Sequence, residues 1–256
     1  MALGPNGFHL SLLGVAAGGG LSVYGWFFER EEASLEKTPL TPPGSLEAGR
    51  LAVVTGAASC PAPSTAPVSA KPCAFYRSEV QVLRDRRLSR RDYSRSWDVQ
   101  SQLDVGGFFV VDKTGKAFVA PAGAKAECLP RTEESREGAG LVDGDTWTQE
   151  KRIDIGDSVT VLGTPHTLAE LIEHMRSRQG GSTLHPELLE HLLRLQTAGE
   201  EFPCFFCDQA PFLLSGEGYE AFKADLESSA NAYLSVGLLI FGLSAFVLVA
   251  SWLGFI

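Results

Sequence analysis

Cys204-Phe-Phe-Cys207 is the most compact chemical motif in this sequence. Two thiols at that spacing can supply half of a tetrahedral zinc site, act as a redox dithiol, close a local disulfide, or pack as an inert pair. A structural zinc wants four ligands, and Cys60, Cys73 and Cys128 stand alone. His166, His174, His185 and His191 show no paired ligand spacing to the motif. A thioredoxin-like dithiol would sit at a helix N-terminus, whereas Pro203 and the two phenylalanines favour a strand or turn. No cofactor is expected, with zinc at Cys204 and Cys207 as the weaker alternative.

The basic cluster Arg84-Asp-Arg-Arg-Leu-Ser-Arg-Arg-Asp92 falls between two strand-like segments and reads as a hairpin tip. Arg84, Arg86, Arg87, Arg90 and Arg91 could meet anionic lipid headgroups or a partner, each basic side chain contributing ~1 kcal/mol near a charged bilayer. They could equally form a solvated turn of Arg/Asp pairs. His185-Pro-Glu-Leu-Leu-Glu-His191 is no zinc-protease helix, because that motif needs its histidines at i, i+4. Glu170 and His174 have that spacing and read as a surface pair. There is no Gly-x-Ser-x-Gly, phosphate loop or dinucleotide fingerprint, and Gly106-Gly107 precedes a strand. No catalytic residue is assigned.

These residues need a scaffold, and the scaffold begins at a membrane. Phe8–Phe28 and Tyr233–Ile256 are two long stretches without Asp, Glu, Lys or Arg. About 20 apolar residues span a hydrocarbon core of ~30 Å. The first is read as an uncleaved anchor rather than a signal peptide, since no basic residue precedes it and bulky Trp26-Phe27-Phe28 fills the cleavage position. Gly14-x-x-x-Gly18 and Ala250-x-x-x-Gly254 offer flat faces through which the spans could pair as a hairpin or the protein could form a homo-oligomer. The chain is thus expected to be a two-pass integral membrane protein, its loop weakly favoured on the cytoplasmic side by Arg30, Lys37 and Lys223. A net charge of -9 argues against nucleic acid as a partner. The expected partners are membrane lipid and a protein.

Between the spans, residues 29–49 are expected to be an extended polar linker and 50–228 a β-rich soluble domain. Arg50–Gly56 and Ala74–Leu83 read as strands, with Tyr93–Leu103 as the hairpin partner of the second. Phe108–Asp112, Lys113-Thr-Gly115 and Ala117–Ala120 read as a tight hairpin. Pro61–Pro72 should be a loop and Pro121–Trp147 an exposed excursion. Ser158–Gly163 is another strand. The period then lengthens to that of a helix at Leu168, Leu171, Ile172 and Met175, and again at Leu188, Leu189, Leu192, Leu193 and Leu195, which gives a helical insertion at about 165–198. Phe202–Cys207 and Pro211–Ser215 close the body as strands, and Glu220–Ser229 is a helix leading into the second span. The fold class is α+β: two terminal transmembrane helices flanking a β-rich, small, partly closed barrel-like domain.

Four passages in order resemble the GIDE family (also MULAN or MAPL), the beside-a-membrane domain of a membrane-anchored ubiquitin ligase and its prokaryotic relatives. They are Val53-Val-Thr-Gly56 with Ala66–Arg77, Phe108–Gly115 with Ala117–Ala120, Glu150–Gly163, and Pro211-Phe-Leu-Leu-Ser215. The resemblance covers roughly Leu51–Ile256 apart from the helical stretch. It implies structural roles for Gly56, Pro67, Cys73, Tyr76, Arg77, Asp112, Gly115, Gly156, Asp157 and Gly163. In the ligase a RING domain with eight zinc ligands follows the second span; this sequence stops at Ile256, so ligase activity is not expected. The expected function is a membrane-tethered, non-catalytic interaction or sensing module that binds a partner protein, lipid or small ligand. The alternatives are an E3 ubiquitin-ligase-family protein by resemblance, or a metal or redox protein using Cys204 and Cys207.

Overall fold

The computed structural model describes residues 5–87, 93–126, 129–138, 143–177, 184–208 and 211–252. The chain divides into two units: the terminal segments Met1–Lys37 and Glu220–Ile256 form one, and Thr38–Tyr219 forms the other.

The first unit is helical. Helix α1 runs from Pro5 to Lys37, and the last helix from Tyr219 to Trp252. The expected extended linker therefore begins later. Glu29–Lys37 continues the helix, because Glu, Arg, Ala, Leu and Lys all favour helix and the first proline comes only at Pro39. Among the described residues one helix, Tyr219–Ala250, is long and apolar enough to cross a membrane, with a mean hydropathy of 2.3 in its best window. Only 6% of that window is buried, unlike the core helix of a soluble domain. In α1, three consecutive glycines and Ser22 dilute the apolar content. The two helices touch at small residues. A Cβ on Gly25 would lie 2.8 Å from Leu234 N, and one on Gly237 would lie 2.6 Å from Ser22 N. Gly18 approaches the Phe241 backbone as closely.

The second unit is built from strands. β1 (Ala52–Ser59), β6 (Phe108–Val111), β7 (Lys116–Val119), β8 (Lys125–Ala126), β11 (Ser158–Gly163), β12 (Cys204–Phe205) and β13 (Leu213–Ser215) form one sheet. Its order is β12-β7-β6-β1-β11-β13-β8. β4 (Phe75–Arg87), β5 (Tyr93–Gly106), β9 (Arg131–Glu137) and β10 (Thr146–Ile153) form a second, in the order β5-β4-β10-β9. β2 (Ser64–Thr65) and β3 (Pro72–Cys73) make a short ribbon. A small, partly closed barrel was expected; the described strands form open sheets instead. Two further corrections concern loops. The Pro61–Pro72 segment contains β2 and the start of β3, and the Pro121–Trp147 excursion contains β8, β9 and the start of β10. Only the β9 part of the excursion is exposed as expected, a charged edge strand of sequence RTEESRE, whereas Pro121, Ala124 and Leu129 are buried.

The core lies where the sheets and helices meet. Phe75 and Ile153, at the base of the second sheet, join Phe108, Phe118 and Phe205 of the first in one buried cluster. α2 (Leu168–Ser177) and α3 (Pro186–Thr197) contribute Leu168, Leu171, Ile172, Leu188 and Leu192 to the same cluster. The helical pair is thus part of the core, although in sequence it reads as an insertion. At the base of the second sheet a charge is buried too. Glu150 is 0% exposed and Arg152 2%. The Val68 N–H (2.6 Å) and Ser69 hydroxyl (2.7 Å) donate to the Glu150 carboxylate, and Arg152 Nη1 donates from 3.2 Å. Burial pushes the Glu150 carboxyl up, but these donors outweigh it and hold it below the usual carboxylate range.

Two outcomes follow from this packing. Because the folded carboxyl is depressed, Glu150 stabilises the fold above its usual value of 4.5, and that contribution is lost as pH falls through the lower folded value. Glu150→Gln should cost roughly 3 kcal/mol at pH 7 by leaving buried Arg152 under-compensated, and should flatten the acid limb below about 4.5 in urea titrations run across pH. Gly237→Leu should separate the two helices at a cost of about 1–3 kcal/mol. A photo-crosslinker in place of Phe241 should then lose most of its capture of α1.

Candidate functional site

His166 opens the site. It lies just beyond β11, and an isolated antiparallel bridge fixes its backbone to Cys204: His166 N–H donates to the Cys204 carbonyl at 2.7 Å, and Cys204 N–H to the His166 carbonyl at 2.8 Å. Thr167 then caps α2. Glu170 accepts from the Thr167 N–H (2.8 Å) and hydroxyl (3.0 Å), while the Glu170 N–H donates to Thr167 Oγ1 at 3.3 Å, a reciprocal capping box. Those two Thr167 donors hold the Glu170 carboxyl below its ordinary value. The His166 ring sits between two carboxylates. Nδ1 is 3.7 Å from Glu170, and Nε2 is 3.1 Å from Asp208 without a hydrogen bond to it. Phe206 lies against His166 at 4.4 Å and against His174 at 4.6 Å between ring centroids.

Beside this cluster is a hollow of about 320 Å³, lined by Leu46, His166, Leu168, Gln196, Glu201 and Phe202 among others. It is within the size range of small-molecule clefts. It offers apolar walls, an amide and a carboxylate for contact. The arrangement suits binding. In the sequence His166 stands out only as one of four histidines without ligand spacing to the Cys204–Cys207 motif, and Asp208 not at all; they lie far apart in the chain and are brought together by the β12 bridge. Thr167-x-x-Glu170, a capping box just after a strand, was the one local signal.

The residues singled out from sequence are dispersed. Cys204 is buried in the core, and its thiol, pushed up by desolvation, donates weakly to the Phe202 carbonyl at 3.6 Å. Cys207 is half-buried, with its Sγ 3.3 Å from where a Cβ on Gly123 would lie. Cys60, Cys73, Cys204 and Cys207 are all free thiols, so the local disulfide is not formed. Among the described residues, no three His, Cys, Asp or Glu side chains converge as metal ligands would. The strand setting at the pair agrees with the reading of a strand or turn. Cys128 lies outside the described residues.

Of the basic cluster, Arg84 is exposed on β4, whose strand continues through Arg86 and Arg87; Arg90 and Arg91 lie outside the described residues. Asp85 pairs with Arg95 at 2.9 Å, an Arg/Asp contact of the kind the turn reading anticipated. The residues given structural roles by resemblance are spread through both sheets. Gly56 leaves no room for a Cβ beside the Val111 carbonyl at 2.7 Å. Asp112 Oδ1 accepts from Thr114 and Gly115 N–H to close the β6–β7 turn. Arg77 makes a two-pronged contact with Asp104 at 2.7 Å on each prong, and also donates to the Ala124 carbonyl. Gly156 has φ +92°, and Asp157 accepts from the Asp154 N–H in the same turn. Cys73 and Tyr76 are buried, Gly163 abuts Phe212 and Phe205, and Pro67 is exposed.

Thiol reactivity tests the setting of the pair. Burial pushes the Cys60 thiol up, and burial beside Asp154 and Glu150 takes Cys73 up to about 12. Iodoacetamide at pH 8, read by site-resolved mass spectrometry, should label Cys207 well before Cys60, Cys73 and Cys204. Equal labelling of Cys204 and Cys207 would contradict the buried setting. No family model matches the chain, and neither a curated protein nor a solved structure does.

Proposed function

We propose that this protein is a membrane-tethered, non-catalytic binding module of the GIDE type. It is anchored by both helices as a hairpin and presents its second unit to a partner at the bilayer surface, on the cytoplasmic side. One observation carries the reading: the helix Tyr219–Ala250 is apolar, of spanning length and almost wholly unburied. Phe246, Leu239 and Leu238 are each more than 60% exposed, a surface that water would not tolerate over such a length. Its contact with α1 through Gly18, Gly25 and Gly237 supports the hairpin. Arg30 over the Trp26 ring at 5.9 Å suits a headgroup boundary.

For the body, binding is favoured over catalysis by what converges at the hollow: carboxylates around His166 and apolar walls, with no nucleophile aligned to the imidazole among the described contacts. Tethering makes weak contacts sufficient, since both partners then share a surface. Membranes carrying the full chain should keep it in the pellet after alkaline carbonate extraction. Protease added to sealed vesicles of known sidedness should cleave the second unit from one side only. Release into the carbonate supernatant would remove the tether and the reading with it.

A further inference from the structure

The hollow beside His166 carries fixed charge of one sign, and that sign selects a class of ligand. Its lining includes two carboxylates, Glu200 and Glu201, and among the described residues no Lys or Arg. Glu200 already holds a cation from outside the lining. Lys116 Nζ lies 2.9 Å from it and sits over the Phe202 ring at 5.1 Å and the Phe109 ring at 5.4 Å. A carboxylate and aromatic faces are each good partners for an ammonium group, so the rim of the hollow makes that contact once within the chain. Glu201 is the next residue. It lines the same hollow and has no ion-pair partner among the described residues. His166, also on the wall, keeps the Glu170 and Asp208 carboxylates within 3.7 and 3.1 Å.

The backbone adds to the same sign. Two helix ends meet at the hollow, and they are not equivalent. α2 starts there at Thr167, and its positive end is already served, because the Glu170 carboxylate accepts from the Thr167 N–H and hydroxyl. α3 finishes there at Gln196 and Gly199. Gly199, at φ +74°, turns the chain back, so that its N–H donates to the Gln196 carbonyl and the Glu200 N–H to the Leu195 carbonyl. That end carries the negative pole of its helix, which favours cations. Arg194, the basic residue of the last turn, is paired with Glu190 one turn earlier.

We infer that the hollow binds a small organic cation, its ammonium group against Glu201 and the end of α3, its apolar body in the space lined by Leu46, Leu168 and Phe202. This rests on the binding reading of the body and gives that reading a ligand class. A carboxylate or phosphate would meet Glu200, Glu201 and a helix start that is already capped. A bare metal ion would leave the apolar walls unused, and among the described residues no three ligands converge to hold one. The volume of about 320 Å³ accommodates an aryl or short alkyl group as well as the charged head.

The test uses the full chain in maltoside micelles and phenethylammonium as the probe, with phenylpropanoate and phenethyl alcohol as its anionic and neutral counterparts. Ligand-observed NMR, with empty micelles as the baseline, should give the ammonium a Kd of about 1 mM or tighter, and the other two at least about tenfold weaker binding. Glu201→Gln, at an exposed position after α3, should weaken the ammonium about tenfold. Glu187→Gln removes an exposed carboxylate of α3 outside the hollow and should leave the Kd unchanged. Ala169→Trp keeps every charge, fills the hollow from an exposed helix position and should abolish binding; circular dichroism checks that each variant is folded. Equal binding of the alcohol or the carboxylate, an unchanged Kd in Glu201→Gln, equal losses in Glu201→Gln and Glu187→Gln, or no protein-dependent binding of the ammonium up to about 10 mM would overturn the proposal. Phosphatidylcholine added to the micelles separates two sources of the same chemistry: displacement of the probe assigns a lipid headgroup, and no displacement assigns a free amine. Preferred binding of the alcohol or the carboxylate would overturn the cationic class while leaving the body a binding module. Loss of the tether shows separately, as protein released by alkaline carbonate.

Discussion

The buried pair of Glu150 and Arg152 is the constraint around which the second unit is arranged. Both side chains lie on one face of β10, two residues apart, at 0% and 2% exposure. A charge so placed must find donors or acceptors on every side. Glu150 finds them in the segment before β3, where Val68 and Ser69 donate to it and where Ala70 adopts a left-handed φ of +53°. Left-handed backbone is uncommon for alanine and persists where surrounding contacts over-determine it. Arg152 reaches the other way, to Asp154 at 2.9 Å and Glu133 at 3.6 Å. One residue pair thus fixes the loop above the sheet, the neighbouring edge strand and the turn that follows.

That turn is where the two sheets become one body. Asp154–Asp157 carries the chain from β10 into β11, and so from the second sheet to the first. Its carboxylates close it locally, with Asp157 accepting from the Asp154 N–H at 2.9 Å. Backbone bonds then stitch it to β1: Gly156 N–H donates to the Ala58 carbonyl, and Ala58 N–H to the Asp157 carbonyl, each at 2.8 Å. Ile153, next to Arg152 but on the opposite face, enters the apolar cluster. Charge on one face and apolar packing on the other leave the strand a single workable register, since a one-residue slip would exchange them. Replacing such a pair with well-packed apolar groups can be neutral for stability. What the pair adds here is a defined position for β10 between β4 and β9.

Local signals in the sequence translated directly into structure where turn chemistry or period was decisive. The Asp112–Gly115 turn, the β4–β5 hairpin, both helices and the late strands around Cys204 and Leu213 are all written in adjacent residues. The failures were non-local. β9 reads as an excursion because all seven of its residues are polar or charged, as an exposed edge strand permits, and nothing beside it names β10 as its partner. The helical pair looks like an insertion because its apolar stripes could face any surface; the core contacts come from strands far away in sequence. The barrel expectation failed for the same reason, since the number of strands does not say which edges meet. His166 and Asp208 were invisible as a pair because each is an ordinary loop residue until β12 hydrogen-bonds to the His166 backbone.

The helical unit obeys one antiparallel register that the sequence also leaves unstated. Gly18 meets Phe241, Ser22 meets Gly237, Gly25 meets Leu234, and farther on Glu36 pairs with Lys223 at 2.7 Å. Contacts along α1 recur in steps of four and three residues, the repeat of a coiled-coil seam. The chemistry of the seam changes along its length while the register stays. Glycine and serine serve the end toward Gly18, where the absence of bulky side chains lets the two backbones approach closely. Ionisable groups serve the other end: burial first, and then Glu227 and Glu36, push the Glu32 carboxyl up, while Lys223 draws the Glu36 carboxyl down. An ion pair of that kind belongs in water or among headgroups, because charges in hydrocarbon are costly. For a hairpin in a bilayer, the boundary therefore falls between Gly25 and Glu32, a rise of ~10 Å along the helix. Trp26 with its neighbouring Arg30 stands within that interval, where an amphipathic ring and a long cationic side chain can each satisfy both media.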